Sequence, residues 1–157
     1  MLMSDTARRR PNRAPELVLT VQYGVRPDRL PSRTQLRLWA RTALRRDARI
    51  TLRIAGTREA RRLNRDFRAK DYPTNVLTFV YRKRPALEGD IVLCAPVVAR
   101  EARQRRLDAD AHYAHLVVHS VLHLQGHDHL RVRETQRMER LETRILADLG
   151  YADPYQA

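Results

Sequence analysis

The sequence predicts an α+β fold in a single domain, with a small four-stranded sheet flanked by about five helices. Three observations carry that expectation. Apolar residues make up 43% of 157, enough for one hydrophobic core. Segments that alternate with period two mostly precede segments of helical period, which favours α+β layering over a regular doubly wound sheet. No internal repeat or long linker divides the chain. Residues 1–16 read as a disordered basic arm, 17–150 as the domain and 151–157 as a short tail.

The elements follow in order. Leu17 to Tyr23 alternates as a half-buried strand does. Ser32-Arg33-Thr34-Gln35 has the form of a capping box, after which Leu36, Trp39, Ala40, Ala43 and Leu44 keep helical spacing. Ile50, Leu52 and Ile54 form one face of a second strand that Gly56 ends. Thr57 is placed to cap the next helix, with Ala60, Leu63 and Phe67 on its buried face. Val76 to Tyr81 and Asp90 to Cys94 give two more strands, joined by the turn-rich stretch Arg82 to Gly89. Helices are then expected over Val97 to Arg106, Asp110 to Gln125 and Val132 to Leu149, the last with Met138, Leu141, Ile145 and Leu149 facing inward. Gly126 closes the middle one, since glycine readily takes the left-handed conformation.

Charge and cysteine usage narrow the function classes. The single cysteine, Cys94, excludes an internal disulfide framework and a multi-cysteine zinc site and fits a reducing, cytoplasmic compartment. No apolar run approaches the roughly 18 residues of a membrane span, so no membrane partner is expected. The net charge of +13 is uneven: Met1 to Arg84 carries 22 basic and 7 acidic residues, Pro85 to Ala157 carries 9 and 11. A basic field of this kind concentrates polyanions, and Arg and Lys contacts to phosphate dominate nucleic-acid affinity. Because 29 of the 31 basic residues are Arg, a compositional habit of the genome explains the charge equally well at this point.

The segment His115-Leu116-Val117-Val118-His119-Ser120-Val121-Leu122-His123-Leu124-Gln125-Gly126-His127-Asp128-His129 is more specific. Side chains at i and i+4 stand one turn apart on one helical face, so His119 and His123 can present two imidazoles to one ion. A glycine reversal then lets His129 return as a third ligand. Three histidines with a position left for water is the usual layout of catalytic zinc, and one divalent metal, zinc first, is the expected cofactor. His115, a turn earlier, suits a supporting or packing role, and His112 is expected to be solvated. Asp128 could orient a ligand imidazole or simply shape the turn, and His127 takes no role from spacing. Metzincin proteases share this spacing, but they need a glutamate directly after the first histidine as general base. Here that residue is Ser120, so peptide hydrolysis falls behind.

A second constellation, Leu63 to Phe79, runs from a helix end through a proline-containing turn into a strand. Arg68 and Lys70 at that junction could hold a phosphate or be solvated while Asp71, Thr74 and Asn75 shape the turn. Arg33, Arg37, Arg41 and Arg45 recur at i, i+4, a ridge that suits a polyanion track or a solvated face.

With both blocks in view the sequence resembles the YbeY family of bacterial metallo-endoribonucleases. The family pattern His-Gly-x-Leu-His-Leu-x-Gly-Tyr-Asp-His is matched by His119 to His129. A second pattern, Leu-Asn-x-x-x-Arg-x-Lys-Asp-x-Pro-Thr-(Asn/Asp)-Val-Leu-(Ser/Thr)-Phe, is matched by Leu63 to Phe79, and Gly89-Asp90-Ile91 matches the start of a family strand. The likeness covers about Leu17 to Leu149. It implies a mixed sheet, the ligand positions His119, His123 and His129, and a role for Arg68 in RNA cleavage. It also implies single-strand-specific endoribonuclease activity in rRNA maturation at the 3′ end of small-subunit rRNA and in ribosome quality control. The partners so implied are rRNA and the ribosome or a small-subunit precursor. Two departures stand out: Ser120 replaces the usual Gly, and its hydroxyl can bond the i−4 carbonyl, while His127 replaces the usual Tyr and adds a polar group near the pocket. The rival readings are a metal-stapled RNA-binding assembly factor without hydrolytic activity and, further behind, a zinc protease.

Overall fold

Alternation in the strand segments becomes a two-faced sheet in the computed structural model, which describes residues 13–126 and 132–156. The order is β1 (Leu17–Tyr23), α1 (Arg33–Ala43), β2 (Ala48–Ala55), α2 (Thr57–Arg68), β3 (Val76–Arg82), β4 (Leu87–Cys94), α3 (Ala95–Gln104), α4 (Ala109–Leu124) and α5 (Val132–Asp148). The strands lie in the order β1-β2-β4-β3. β1 and β4 run parallel to β2, and β3 runs antiparallel to β4. The sheet is therefore mixed, and the domain is α+β.

Register sorts the side chains. Leu19, Ile50, Gly89 and Val80 lie in one row, and Val21, Leu52, Ile91 and Thr78 in the next. Ile50, Leu52, Ile91 and Leu93 on this face are buried in the main core with α1 and α4, each contributing about 1.5–3 kcal/mol by leaving water. The opposite face carries Thr20, Gln22, Arg49, Thr51, Arg53 and Asp90, and among the described residues only α2 and the start of α3 cover it, through Ala55, Leu77 and Val92 and through Ala60, Cys94 and Val97. One face builds the core; much of the other stays open.

α4 is the central helix. Ten of its sixteen residues are buried, as expected for a helix apolar nearly all round, and it packs against α1, α3, α5, β3 and β4. Its C-terminal end is tied to α1: the Gln125 amide donates to the Ala43 carbonyl at 2.9 Å, and its oxygen accepts from the Arg45 amide at 2.7 Å. Gly126, at φ +97°, then turns the chain in a conformation that L side chains rarely adopt.

Several expectations need correction. Thr57 is the first residue of α2 and its cap is Gly56, with no side-chain cap bond. β4 begins at Leu87 and passes through Gly89, where a Cβ would meet the Phe79 carbonyl at 2.7 Å and Leu124 at 3.2 Å; this glycine permits close approach and makes no turn. α3 starts at Ala95, with Pro96 in its first turn, where a missing N–H costs nothing. Phe67 is 62% exposed: α2 buries Ala60 and Asn64, and Phe67 leans on the Phe79 ring at an open hollow instead. His112 is buried, with its Nε2 2.9 Å from a Glu101 carboxylate oxygen. Arg45 lies beyond the end of α1, so the ridge consists of Arg33, Arg37 and Arg41.

Candidate metal centre

On α4, whose flanks are buried, His115, His119 and His123 form a stripe of half-buried imidazoles at i, i+4, i+8. The side chains of His115 and His119 are 13% and 25% exposed. Ser120, between two of the histidines, is fully buried and donates to the Leu116 carbonyl at 2.7 Å, so the departure at this position is absorbed within the helix.

The partner of this stripe is Glu142 on α5, which the sequence reading did not single out. It lies on the same face as Met138, Ile145 and Leu146 and is 0% exposed. One oxygen lies 2.5 Å from His119 Nδ1, the other 3.1 Å from His115 Nε2 and in a short hydrogen bond with the Tyr155 hydroxyl. A carboxylate on an otherwise apolar helical stripe, four residues after Met138, is the signal that could have found it: buried Glu is almost never unpaired. Tyr155, assigned to the tail, is tied into the same cluster.

The electrostatics fix the proton positions. Burial alone would raise the Glu142 carboxyl, but hydrogen bonds from His115, His119 and Tyr155 outweigh it and hold the group at about 2. Glu142 is thus ionised near neutral pH and only accepts. Both imidazoles must then donate to it: His119 carries its proton on Nδ1 and His115 on Nε2. The Tyr155 hydroxyl is pushed up, first by burial and then by its bond to Glu142, so it too remains a donor.

Ligand atoms of His115, His119 and Glu142 all lie within 4.8 Å of one another, a grouping able to hold a metal ion. The hydrogen-bond pattern favours a different division of labour. All three donors converge on Glu142, and the Nδ1 of His115 is buried without a partner among the described residues. His119 meets Glu142 through Nδ1, the arrangement by which an outer carboxylate orients an imidazole that ligates through its other nitrogen. His123 follows one turn later on the same stripe. The donor set fits a divalent metal on imidazole nitrogen. His127, Asp128 and His129 lie outside the described residues.

Arg68 sits elsewhere. Cys94 donates to the Asn75 carbonyl at 2.8 Å, so alternation along the antiparallel pair leaves the N–H and C=O of Thr78 on the free edge of β3. Arg68 caps that edge, its guanidinium donating to the Thr78 carbonyl at 2.6 Å and standing over the Phe79 ring at 5.0 Å. It lines a cavity of about 590 Å³ on the open sheet face, whose lining includes no histidine. α4 also packs on β3, so the arginine and the imidazole-bearing helix meet the same strand. Lys70 is exposed in the turn. Its neighbours have structural tasks: Asn64 donates to the Tyr72 carbonyl at 2.8 Å, Asn75 reaches Glu101 at 3.1 Å, and Arg61 holds Asp71 at 2.8 and 3.0 Å. On the ridge Arg33 stands over Tyr23 at 5.0 Å and Arg37 donates to the Leu17 carbonyl at 3.2 Å, while Arg41 is exposed.

Comparison with known proteins bears on the fold and on the family. A solution structure from Thermotoga maritima shares the fold over 89% of this chain and all of its own, at a TM-score of 0.57 and 20% identity. Proteins named endoribonuclease YbeY are far closer in sequence. The one from Nitrosospira multiformis is 55% identical, covering 96% of this chain and 88% of its own. The one from Methylibium petroleiphilum is 54% identical, covering 94% and 99%. The family model described as endoribonuclease YbeY matches residues 32–150, which hold every element from α1 to α5 and both sequence blocks; with relatives more than half identical along nearly the whole chain, this protein belongs to the endoribonuclease YbeY family.

Proposed function

We propose that this protein is a metal-dependent, single-strand-specific endoribonuclease that acts in the cytoplasm on rRNA, at the 3′ end of the small-subunit transcript, and in ribosome quality control. Family membership supports the activity. The observation that carries the chemistry is the buried Glu142 holding His119 through Nδ1, one turn from His123 on a half-buried imidazole stripe. In this reading His119, His123 and His129 hold one zinc ion, His115 and Tyr155 keep Glu142 in place, and Asp128 and His127 are candidates for supporting or pocket roles. Bound there, a divalent metal supplies Lewis acidity and acidifies water. Arg68 offsets charge building on the phosphoryl oxygens, and Lys70, Arg33, Arg37, Arg41 and Arg45 help to hold the RNA, on the ribosome or a small-subunit precursor. Among the described residues no helix is long and apolar enough to cross a membrane.

Elemental analysis of the purified protein, with cleavage assays on single- and double-stranded RNA, tests the proposal. Wild type is expected to carry about one zinc per chain and to cut the single strand. His123→Ala, purified in parallel, is expected to lose metal and cleavage together. Cleavage that survives in the metal-free variant would overturn it, and a metal whose removal lowers the melting temperature in a protein that cuts nothing would favour the assembly-factor reading.

A further inference from the structure

The open face of the sheet carries more than Arg68. Phe67 and Tyr81 both line the 590 Å³ cavity and are 62% and 67% exposed. A soluble domain rarely leaves two large rings in one hollow without a use for them. Phe67 leans on Phe79 edge to face, ring centroids 5.5 Å apart at 73°, and Tyr81 is held by its hydroxyl on Asp90 at 2.6 Å, so both rings have fixed positions. The floor is polar: Arg53, clamped by Glu59 at 2.6 and 2.8 Å, lies beside Gln22 and Asp90. A second hollow of about 350 Å³ shares Thr51, Tyr81 and Asp90 with the first and continues across β1 and β2. Together they form a trough across the sheet.

The surroundings say what would fill it. From Arg53 to Arg84 the chain holds ten basic and three acidic residues. α2 lines the hollow through Glu59, Leu63 and Phe67 and carries the exposed cations Arg58, Arg62 and Arg65 beside them in the chain; Arg82 at the end of β3 and Lys83 and Arg84 after it follow directly on Tyr81. Exposed rings over a polar floor with a cationic rim match single-stranded nucleic acid, whose bases stack on aromatic faces while Arg and Lys follow the backbone. A duplex keeps its bases stacked inside and offers none to such rings.

We infer that this sheet face is a base-binding subsite, in which Phe67 and Tyr81 take unstacked bases of the RNA strand whose backbone passes Arg68 at the edge of β3. The inference rests on the endoribonuclease reading and gives a structural source for single-strand preference: two bases must leave the stack before the strand can seat.

The test uses metal-loaded, full-length protein. Fluorescence anisotropy measures binding of a short labelled single-stranded oligoribonucleotide at times shorter than turnover, of single-stranded DNA of the same sequence as an uncleavable reference, and of the RNA duplex. Phe67→Leu and Tyr81→Leu remove a π-face at exposed positions, and melting curves check that both remain folded. Each is expected to weaken single-strand binding roughly tenfold, the effect of losing one base–aromatic stack, and to leave duplex binding unchanged; Phe67→Trp is expected to bind as wild type does. Leucine variants that bind single strands normally would overturn the subsite, as would equal weakening for duplex and single strand, or a change of oligomeric state with RNA affinity intact. Cleavage is read separately: a wild type that binds through these rings but cuts nothing defeats the endoribonuclease reading and leaves the subsite standing.

Discussion

Glu142 is a single carboxylate on which two imidazoles and a phenol converge, and its removal therefore has a defined signature. Glu142→Gln keeps the volume but replaces a double acceptor by a group with one accepting oxygen, so the His119 Nδ1–H loses its charged partner. Metal affinity is expected to fall by about ten- to a hundredfold, read by competition with a chelating dye, and excess metal is expected to recover much of the cleavage. Unchanged affinity would mean that Glu142 is only a core contact. His112 gives a separate prediction away from the metal. Burial pushes its imidazole below the ordinary 6.5, with Glu101 pulling the other way. The unfolded chain thus binds this proton more readily than the folded one. Its contribution to stability is complete above the ordinary value and is lost as the pH falls below it. Melting temperature is expected to drop between about pH 7.5 and 5.5, and His112→Gln is expected to flatten that part of the profile. An identical profile in the variant would remove His112 as the cause.

At the scale of elements, what could be read from the sequence was whatever is local. The capping box is present in full: Ser32 accepts from the Gln35 amide at 3.1 Å, and the Gln35 side chain accepts from the Ser32 amide at 2.9 Å. Ser32→Ala is expected to cost about 1 kcal/mol, or roughly 2–4 °C in melting temperature for a chain of this size; no shift would mean that tertiary packing alone holds the start of α1. Gly126 is legible for the same reason, as a backbone requirement. Among the described residues no atom lies within 4 Å of where its Cβ would be, so the cost of Gly126→Ala, about 1–2 kcal/mol, is expected from the left-handed backbone. Asn at this position is expected to cost less than Ala in a denaturant titration; equal costs would assign the loss to something other than backbone conformation. What the sequence hid was decided by partners far away in the chain. Gly89 looked like a turn residue until Leu124 and the Phe79 carbonyl pressed against it. Phe67 kept helical spacing with Ala60 and Leu63 but leans on the Phe79 ring at an open hollow and stays exposed, and Glu142 broke an apolar stripe because its partners lie on α4 and after α5. In the candidate site the imidazole stripe was visible as spacing, whereas the carboxylate that orients it depends on how α5 packs.

The charge asymmetry acquires a shape at the scale of the whole molecule. The basic half supplies β1, β2, β3 and α2, which surround the open sheet face, while the slightly acidic half supplies α3 to α5 and the imidazoles. On the proposed reading, polyanion attraction belongs to the half that bears Arg68 and metal chemistry to the half that bears the imidazoles. That attraction also sets a salt dependence. With about four phosphate contacts to a single strand, the slope of log affinity against log salt is expected near −3, a loss of roughly fiftyfold between about 50 and 200 mM. Removing one contacting cation lowers the slope by about 0.7. Arg62→Ala and Lys83→Ala, beside the trough, are expected to produce that change. Arg33→Ala and Arg37→Ala are expected to change it less, because those side chains are engaged by Tyr23 and by the Leu17 carbonyl. Anisotropy titrations at several salt concentrations measure all four variants. A slope near zero in wild type would make the basic half a solvated surface after all, and equal effects on both helices would spread the RNA path across the α1 ridge as well.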